Sequence, residues 1–215
     1  MNHRPVIVIG AGGHAKVVVA TLLRLGRTIL GLADAEPERS GTTVLGVPVR
    51  GDDAWVLSHP AGSVDLALGL ASVGLPKGRR AVFERFSAAG YRFATLVDPS
   101  AVIGPEVTLG EGAQVMAGAV VQPSTTLGVN ALVNTGAAID HDCVVGDHCH
   151  RAPGCVVSGF TRIGAGSHLG TGAVVIQGIV IGAGVVVAAG AVVVEAVADG
   201  AVVMGNPARA RGVKA

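Results

Sequence analysis

At 215 residues, with 50% hydrophobic, 14% charged and 3% aromatic residues, the chain can form two modest domains and is too apolar for disorder. A formal net charge of +1 gives no global pull toward nucleic acid or an anionic membrane surface, so any phosphate recognition is local. Its 33 glycines suit a backbone that turns often.

Met1 to Pro5 leads straight toward a strand and shows no cleavage-site pattern, so a cytoplasmic protein is expected. Val6–Ile9 is a continuous apolar run. Gly10-Ala11-Gly12-Gly13-His14-Ala15 follows, and the apolar periodicity of Lys16–Leu25 predicts a helix. Strand, loop and helix match G-x-G-x-x-A, in which backbone N–H groups and a helix N-terminus approach a phosphate closely. Asp34 ends the next predicted strand, Ile29–Ala33, where an acid can meet a ribose hydroxyl. Then come an edge-like Val44–Val49 containing Pro48, a short segment around Trp55, a strand Val64–Leu70, a helix Arg79–Ala89 and a strand Tyr91–Val97. Residues 1–96 thus read as an α/β, half-Rossmann βαβαβ domain, about half of a dinucleotide fold and enough for one nucleotide.

From Val97 to Val192 the chain keeps one six-residue register through sixteen hexapeptides without an insertion. The first position is aliphatic in all but Arg151, the fifth is nearly always small, and glycine often takes the second, as at Gly104, Gly110 and Gly128. A short fixed repeat marks a solenoid whose units bury their apolar side only against neighbours. Six residues are too few for a helical repeat, and β-branched segments punctuated by glycine suit brief strands with tight turns. Residues 97–215 are therefore expected to form a parallel β-helix. Gly178–Val194 carries no charge, yet the register runs through it, so no membrane span is expected. Cys143, Cys149 and Cys155 share the small fifth position and read as buried core thiols. Glu195–Gly200 is a turn region. Arg209, Arg211 and Lys214 form a basic tail, either solvated or bound to a ligand phosphate.

The ionisable cluster inside the repeat runs from Asn134 through Asp140-His141-Asp142 to Asp147-His148-Cys149-His150. An imidazole between carboxylates has its tautomer fixed and its basicity raised, which suits a general base near neutral pH. A zinc site is the rival. The solenoid histidines His141, His148, His150 and His168 are 7, 2 and 18 residues apart, so only the last two can stack, whereas zinc needs three or four converging ligands. No metal is expected.

Gly12-Gly13-His14 in a half-domain, an uninterrupted hexapeptide array, Asn134-Thr135-Gly136 before Asp140-His141-Asp142, His150 nine residues on, and Gly205-Asn206-Pro207-Ala208-Arg209 together resemble one family. It is the sialic-acid and bacillosamine type of hexapeptide-repeat nucleotide-sugar acetyltransferases, and the resemblance covers essentially the whole chain. It implies a left-handed β-helix with three hexapeptides per coil, a homotrimer, and acetyl-CoA as co-substrate. It also implies N-acetylation of a nucleotide-linked 4-amino sugar, guanosine-linked first and uridine-linked second, with O-acetylation of a sugar such as sialic acid as the alternative. By the same resemblance His141 is the proton acceptor and Asp142, where the family usually has Glu, supports it, leaving Asp140 or a water as other supports. His150, Thr171 and Ala189 match acetyl-CoA contacts. Gly13, His14, Ala15, Asp34 and Gly69 match sugar-nucleotide contacts. Eighteen residues per coil place Gly159 one coil beyond His141, which makes its N–H the candidate oxyanion donor. Two other classes stand beside this one: an NAD-binding oxidoreductase would leave the solenoid without a task, and a non-catalytic scaffold would leave Asp140-His141-Asp142 unexplained.

Overall fold

The computed structural model describes residues 3–211; Met1, Asn2 and the tail residue Lys214 lie outside that range. The N-terminal part runs β1 (Val6–Ile9), α1 (Gly13–Arg24), β2 (Ile29–Ala33), β3 (Thr43–Val44), β4 (Val47–Gly51), α2 (Asp53–Leu57), β5 (Asp65–Leu68), α3 (Lys77–Ala88) and β6 (Arg92–Phe93). Its sheet has the order β3-β4-β2-β1-β5-β6 and is parallel except for β3 against β4. Alternation along β1 sorts the two faces: Val6 and Val8 join the core under α1, while Ile7 and Ile9 join Phe83 and Phe86 of α3.

Three local expectations change. The helix begins at Gly13 rather than Lys16, because the turn is complete once Gly10 (φ 96°) has reversed the chain and extended Gly12 caps the helix. Val44–Val49 is not one edge strand but a hairpin. Leu45 and Gly46 take φ of 50° and 80°, the double positive φ of a type I′ turn, and leucine in the first place hid that signal. Tyr91–Val97 divides, because Leu96–Val97 pairs with Gln114–Val115 of the solenoid instead of with β5.

The solenoid is a left-handed parallel β-helix of two-residue strands in three sheets. Pairs such as Gln114 with Leu132, Val120 with Ala138 and Thr126 with Val144 fix the coil at 18 residues. After Val193 the offset falls to 16, as in Val186 with Val202, because the Glu195–Gly200 turn shortens the last coil. First-position residues point inward; moving each such Val or Ile out of water contributes about 1.5–3 kcal/mol. Arg151 also points inward and is fully buried among Cys143, Cys149 and Cys155, donating from Nη2 to the Cys149 carbonyl at 3.3 Å. Burial pushes all three thiols up, Cys155 to about 12, so they stay protonated.

Glycine has two separate tasks here. At the second position the next coil comes too close for a side chain: a Cβ on Gly110 would lie 2.6 Å from the Gly128 carbonyl carbon. Positive φ is needed instead at the fourth position, filled by Gly118, Gly136 and Gly154 at one corner and by Ser124, Asp142 and Phe160 at another. The second-position glycines that the sequence pattern links to turns thus serve close approach, and the turn itself falls two residues later.

The first face, from Leu96–Val97 to Val202–Met204, carries the N-terminal part; Leu96, Met116 and Leu132 pack under α1. The second face, from Val102–Ile103 to Val192–Val193, presents an aliphatic outward column of Val102, Val120, Ala138, Val156, Val174 and Val192. The third runs from Thr108–Leu109 to Val180–Ile181. Among the described residues no helix is long and apolar enough to cross a membrane, and Gly178–Val194 is solenoid coil.

Candidate active site

His141 sits at the corner where the chain leaves Ala138–Ile139 of the second face for Val144–Val145 of the third. Asp140 Oδ1 accepts the His141 backbone N–H at 2.8 Å and so holds the corner. Asp142 takes the left-handed conformation (φ 57°) and its Oδ2 accepts from His141 Nδ1 at 2.8 Å. A carboxylate only accepts, so Nδ1 carries a proton, and Nε2 is the ring nitrogen whose lone pair is exposed in the neutral tautomer. Of the two flanking acids, Asp142 therefore meets the ring, and Asp140 meets the backbone.

The imidazole folds over Gly159. A Cβ there would lie 2.8 Å from ring atoms Cε1 and Nε2, so only glycine leaves the ring its place. Phe160 meets the same ring edge-on, centroids 5.0 Å apart at 87°. It is half-exposed and left-handed (φ 58°), a conformation costly for a bulky residue. The Gly159 N–H makes no hydrogen bond among the described residues.

On the other side of the second face lies a cavity of about 370 Å³, lined by Ser72, Asn134, His150, His168, Thr171 and Ala189 among others. The loop after β5 forms its roof. His150 lies between Ser72 Oγ, 3.0 Å from Nδ1, and Asn134 Nδ2, 3.3 Å from Nε2. Burial, then the neighbouring His168 ring, pushes its pKa down to about 2, so it is neutral. Thr171 and Ala189 stack one coil apart, with the Gly190 N–H donating to the Thr171 carbonyl at 2.9 Å.

The third group gathers at the carboxyl ends of β1, β2 and β5, the edge where open α/β sheets bind ligands. Gly13, His14 and Ala15 form the first turn of α1. A Cβ on Gly69 would meet Ala15 Cβ and the Gly10 carbonyl at 2.8 Å, so the strand end and the glycine loop touch. His14 Nε2 lies 3.0 Å from Gln114 Oε1 of the solenoid. Burial, reinforced by Arg79, lowers its pKa to about 4. Asp34 accepts the Ala11 N–H at 2.6 Å and the Glu36 N–H at 2.9 Å, so its carboxylate braces the loop from inside. Beside it opens a cavity of about 490 Å³ between Gly10, Gly12, Asp34, Arg39, Asp53 and Arg85.

Within one chain these groups are not brought together: His141 lines neither cavity. The sequence reading missed Ser72, Gln114, Arg39, Arg79 and Phe160. Gln114 was detectable as a polar residue in an outward column that continues to His150 and His168. Arg79, fully buried with its pKa lowered by burial to about 9, anchors the cavity roof by donating to the Leu70 carbonyl at 2.6 Å. Nothing in its sequence context marks it. Among the described residues no group of three or more His, Cys, Asp or Glu is placed to hold a metal ion.

The PglD N-terminal domain family model matches residues 5–86. Perosamine N-acetyltransferase from Caulobacter crescentus, solved with CoA and GDP-perosamine, is 38% identical with a TM-score of 0.89, over 97% of this chain and 97% of that one. Its solved forms include variants with one histidine replaced by asparagine or alanine. The acetyltransferase domain of PglB from Neisseria gonorrhoeae, solved with acetyl-CoA, is also 38% identical at TM-score 0.89, over 98% of this chain and 100% of that one. WeeI from Acinetobacter baumannii is 29% identical at TM-score 0.87, over 97% and 100% of the two chains. No curated protein sequence matches significantly.

Proposed function

This chain belongs to the hexapeptide-repeat nucleotide-sugar acetyltransferases of the sialic-acid and bacillosamine type, and on that footing we propose that it N-acetylates a nucleotide-linked 4-amino sugar from acetyl-CoA. The observation that carries the reading is the His141 ring, oriented by Asp142 on Nδ1 and seated over Gly159 with Nε2 as the nitrogen left for a substrate. Nε2 takes the proton as the sugar amine attacks the thioester carbonyl. Asp142 stabilises the imidazolium that forms, and the Gly159 N–H, without a partner among the described residues, is the donor for the developing oxyanion; its collapse breaks the C–S bond and expels the CoA thiolate, which takes the proton back from Nε2. Residues 1–96 hold the sugar nucleotide, with its diphosphate at the glycine loop and the N-terminus of α1. Residues 97–215 supply the acyl-transfer machinery. The 38% relative solved with GDP-perosamine supports a guanosine-linked acceptor, with a uridine-linked one as the alternative.

The separation of His141 from the His150, Thr171 and Ala189 cavity supports a homotrimer. The two half-sites flank the second face at its opposite corners, and that face offers an uncovered aliphatic column. If three second faces close around a threefold axis, the His141 corner of one copy meets the cavity corner of the next. The acetyl donor then lies between two solenoids.

Thiol release from acetyl-CoA is the test, with GDP- and UDP-linked 4-amino sugars, sialic acid and no acceptor as arms. Turnover with a nucleotide-linked amino sugar is expected; turnover with sialic acid alone moves the activity to O-acetylation, and none in any arm rejects it.

A further inference from the structure

The cavity beneath residues 71–74 is walled by hydrogen-bond donors whose identity follows from the tautomers around it. Asn134 Oδ1 accepts the Thr135 N–H at 2.8 Å, so the atom facing His150 Nε2 is the amide nitrogen. His150 Nε2 therefore accepts, and its ring proton lies on Nδ1, donated to Ser72 Oγ at 3.0 Å. Ser72, accepting there, keeps its own hydroxyl proton for a group inside the cavity it lines.

His168 packs edge-on against His150, with centroids 4.9 Å apart. Its Nδ1 is sealed from solvent with no partner among the described residues. Its Nε2 makes no hydrogen bond among the described residues and, unlike Nδ1, is not sealed, on a side chain that lines the cavity. A neutral ring places its proton where an acceptor can reach it, since a buried N–H without one carries the full desolvation cost. The proton is thus on Nε2, pointing to the cavity.

Two neutral donors from different parts of the chain face one space whose other walls include Ala152, Pro153 and Ala188. Such a site suits carbonyl oxygens on a slender chain. A phosphate would call for a cation, and no Lys or Arg among the described residues lines this cavity; Arg79, buried beside the roof, donates from Nη1 to the Leu68 and Leu70 carbonyls.

Resting on the reading of this cavity as the acyl-donor site, we propose that Ser72 Oγ–H and His168 Nε2–H bind amide carbonyl oxygens of the donor's pantetheine arm. The loop after β5 thereby makes the nucleotide-binding part of the chain a direct contributor to acyl-donor affinity. Ser72 and His168 act in binding, not in the proton transfer.

The test is calorimetric titration of the intact protein with CoA, which needs no turnover, alongside titration with the sugar nucleotide. Ser72→Ala and His168→Leu should each weaken CoA roughly 3- to 10-fold, the worth of one neutral hydrogen bond. His168→Gln, whose amide N–H reaches the Nε2 position, should restore most of the loss. Sugar-nucleotide affinity should stay unchanged in all three. If wild type binds CoA and Ser72→Ala matches it within about twofold, a change too small for a lost hydrogen bond, the proposal is overturned. A loss that falls on the sugar nucleotide overturns it equally. Ser72 lies on a partly exposed loop, so this variant decides even if His168→Leu fails to fold. Wild type that binds sugar nucleotide but not CoA would instead remove the acyl-donor reading itself, and this proposal with it.

Discussion

Gly159→Ala separates positioning of the base from its chemistry. The added methyl would sit 2.8 Å from Cε1 and Nε2 of His141 and 3.2 Å from Nδ1. Carbon atoms in good contact stand about 3.5–4.0 Å apart, so the ring must move by roughly 1 Å. The half-exposed ring can swing outward, but swinging lengthens the 2.8 Å bond to Asp142 and lifts Nε2 away from the Gly159 N–H. A misplacement of that size costs on the order of 100-fold in turnover. Gly159 is not in the left-handed region, so the backbone tolerates alanine, and at a surface corner the stability change should stay within about 0.5 kcal/mol. The imidazole, its carboxylate and the backbone N–H all survive the substitution. Steady-state thiol release reports kcat cleanly, because Cys143, Cys149 and Cys155 are buried and do not compete for the reagent. A folded Gly159→Ala protein with wild-type kcat would refute the arrangement.

Burial holds His14 near 4 and His150 near 2, below the unfolded value of 6.5. Below pH 6.5 the unfolded chain therefore binds more protons; stability is full above that pH and is lost as pH falls toward 4 and then 2. Thermal unfolding between pH 7 and pH 4 should show a falling midpoint, flattened in His150→Asn; a midpoint that rises on acidification contradicts it. For the trimer, His141→Ala and Thr171→Trp should each be inactive alone, while randomly mixed trimers regain about a quarter of the sites. Mixed samples with no recovered activity would place both half-sites in one chain. Calorimetry should show a GDP- or UDP-linked sugar binding and NAD not binding, since the described residues form one nucleotide half-domain; tight NAD binding would reverse this.

The solenoid was legible because sixteen hexapeptides repeat one burial pattern, and the inward columns of Val, Ile and Leu, one per face, are a long-range signal carried by local spacing. The strand, glycine loop and helix at Val6–Arg24 were legible for the same local reason. What stayed hidden depends on contacts between distant segments. The Leu45-Gly46 hairpin turn lacks the usual Asn or Gly at its first residue. Leu96–Val97 continues a strand-like run but pairs with Gln114–Val115. Ser72 meets His150 across 78 positions, and His14 meets Gln114 across 100. Asp34 was placed at the right sheet edge, yet its carboxylate is turned to the Ala11 N–H, a commitment that only the folded loop reveals.

The most direct test is the turnover of His141→Ala with acetyl-CoA and a GDP-linked 4-amino sugar, measured beside wild type and Asp142→Asn. His141→Ala should lower kcat by about 10²–10⁴-fold with little change in the acetyl-CoA KM, and Asp142→Asn should cost less because it keeps the imidazole. Wild-type turnover in His141→Ala would contradict the assignment of the base.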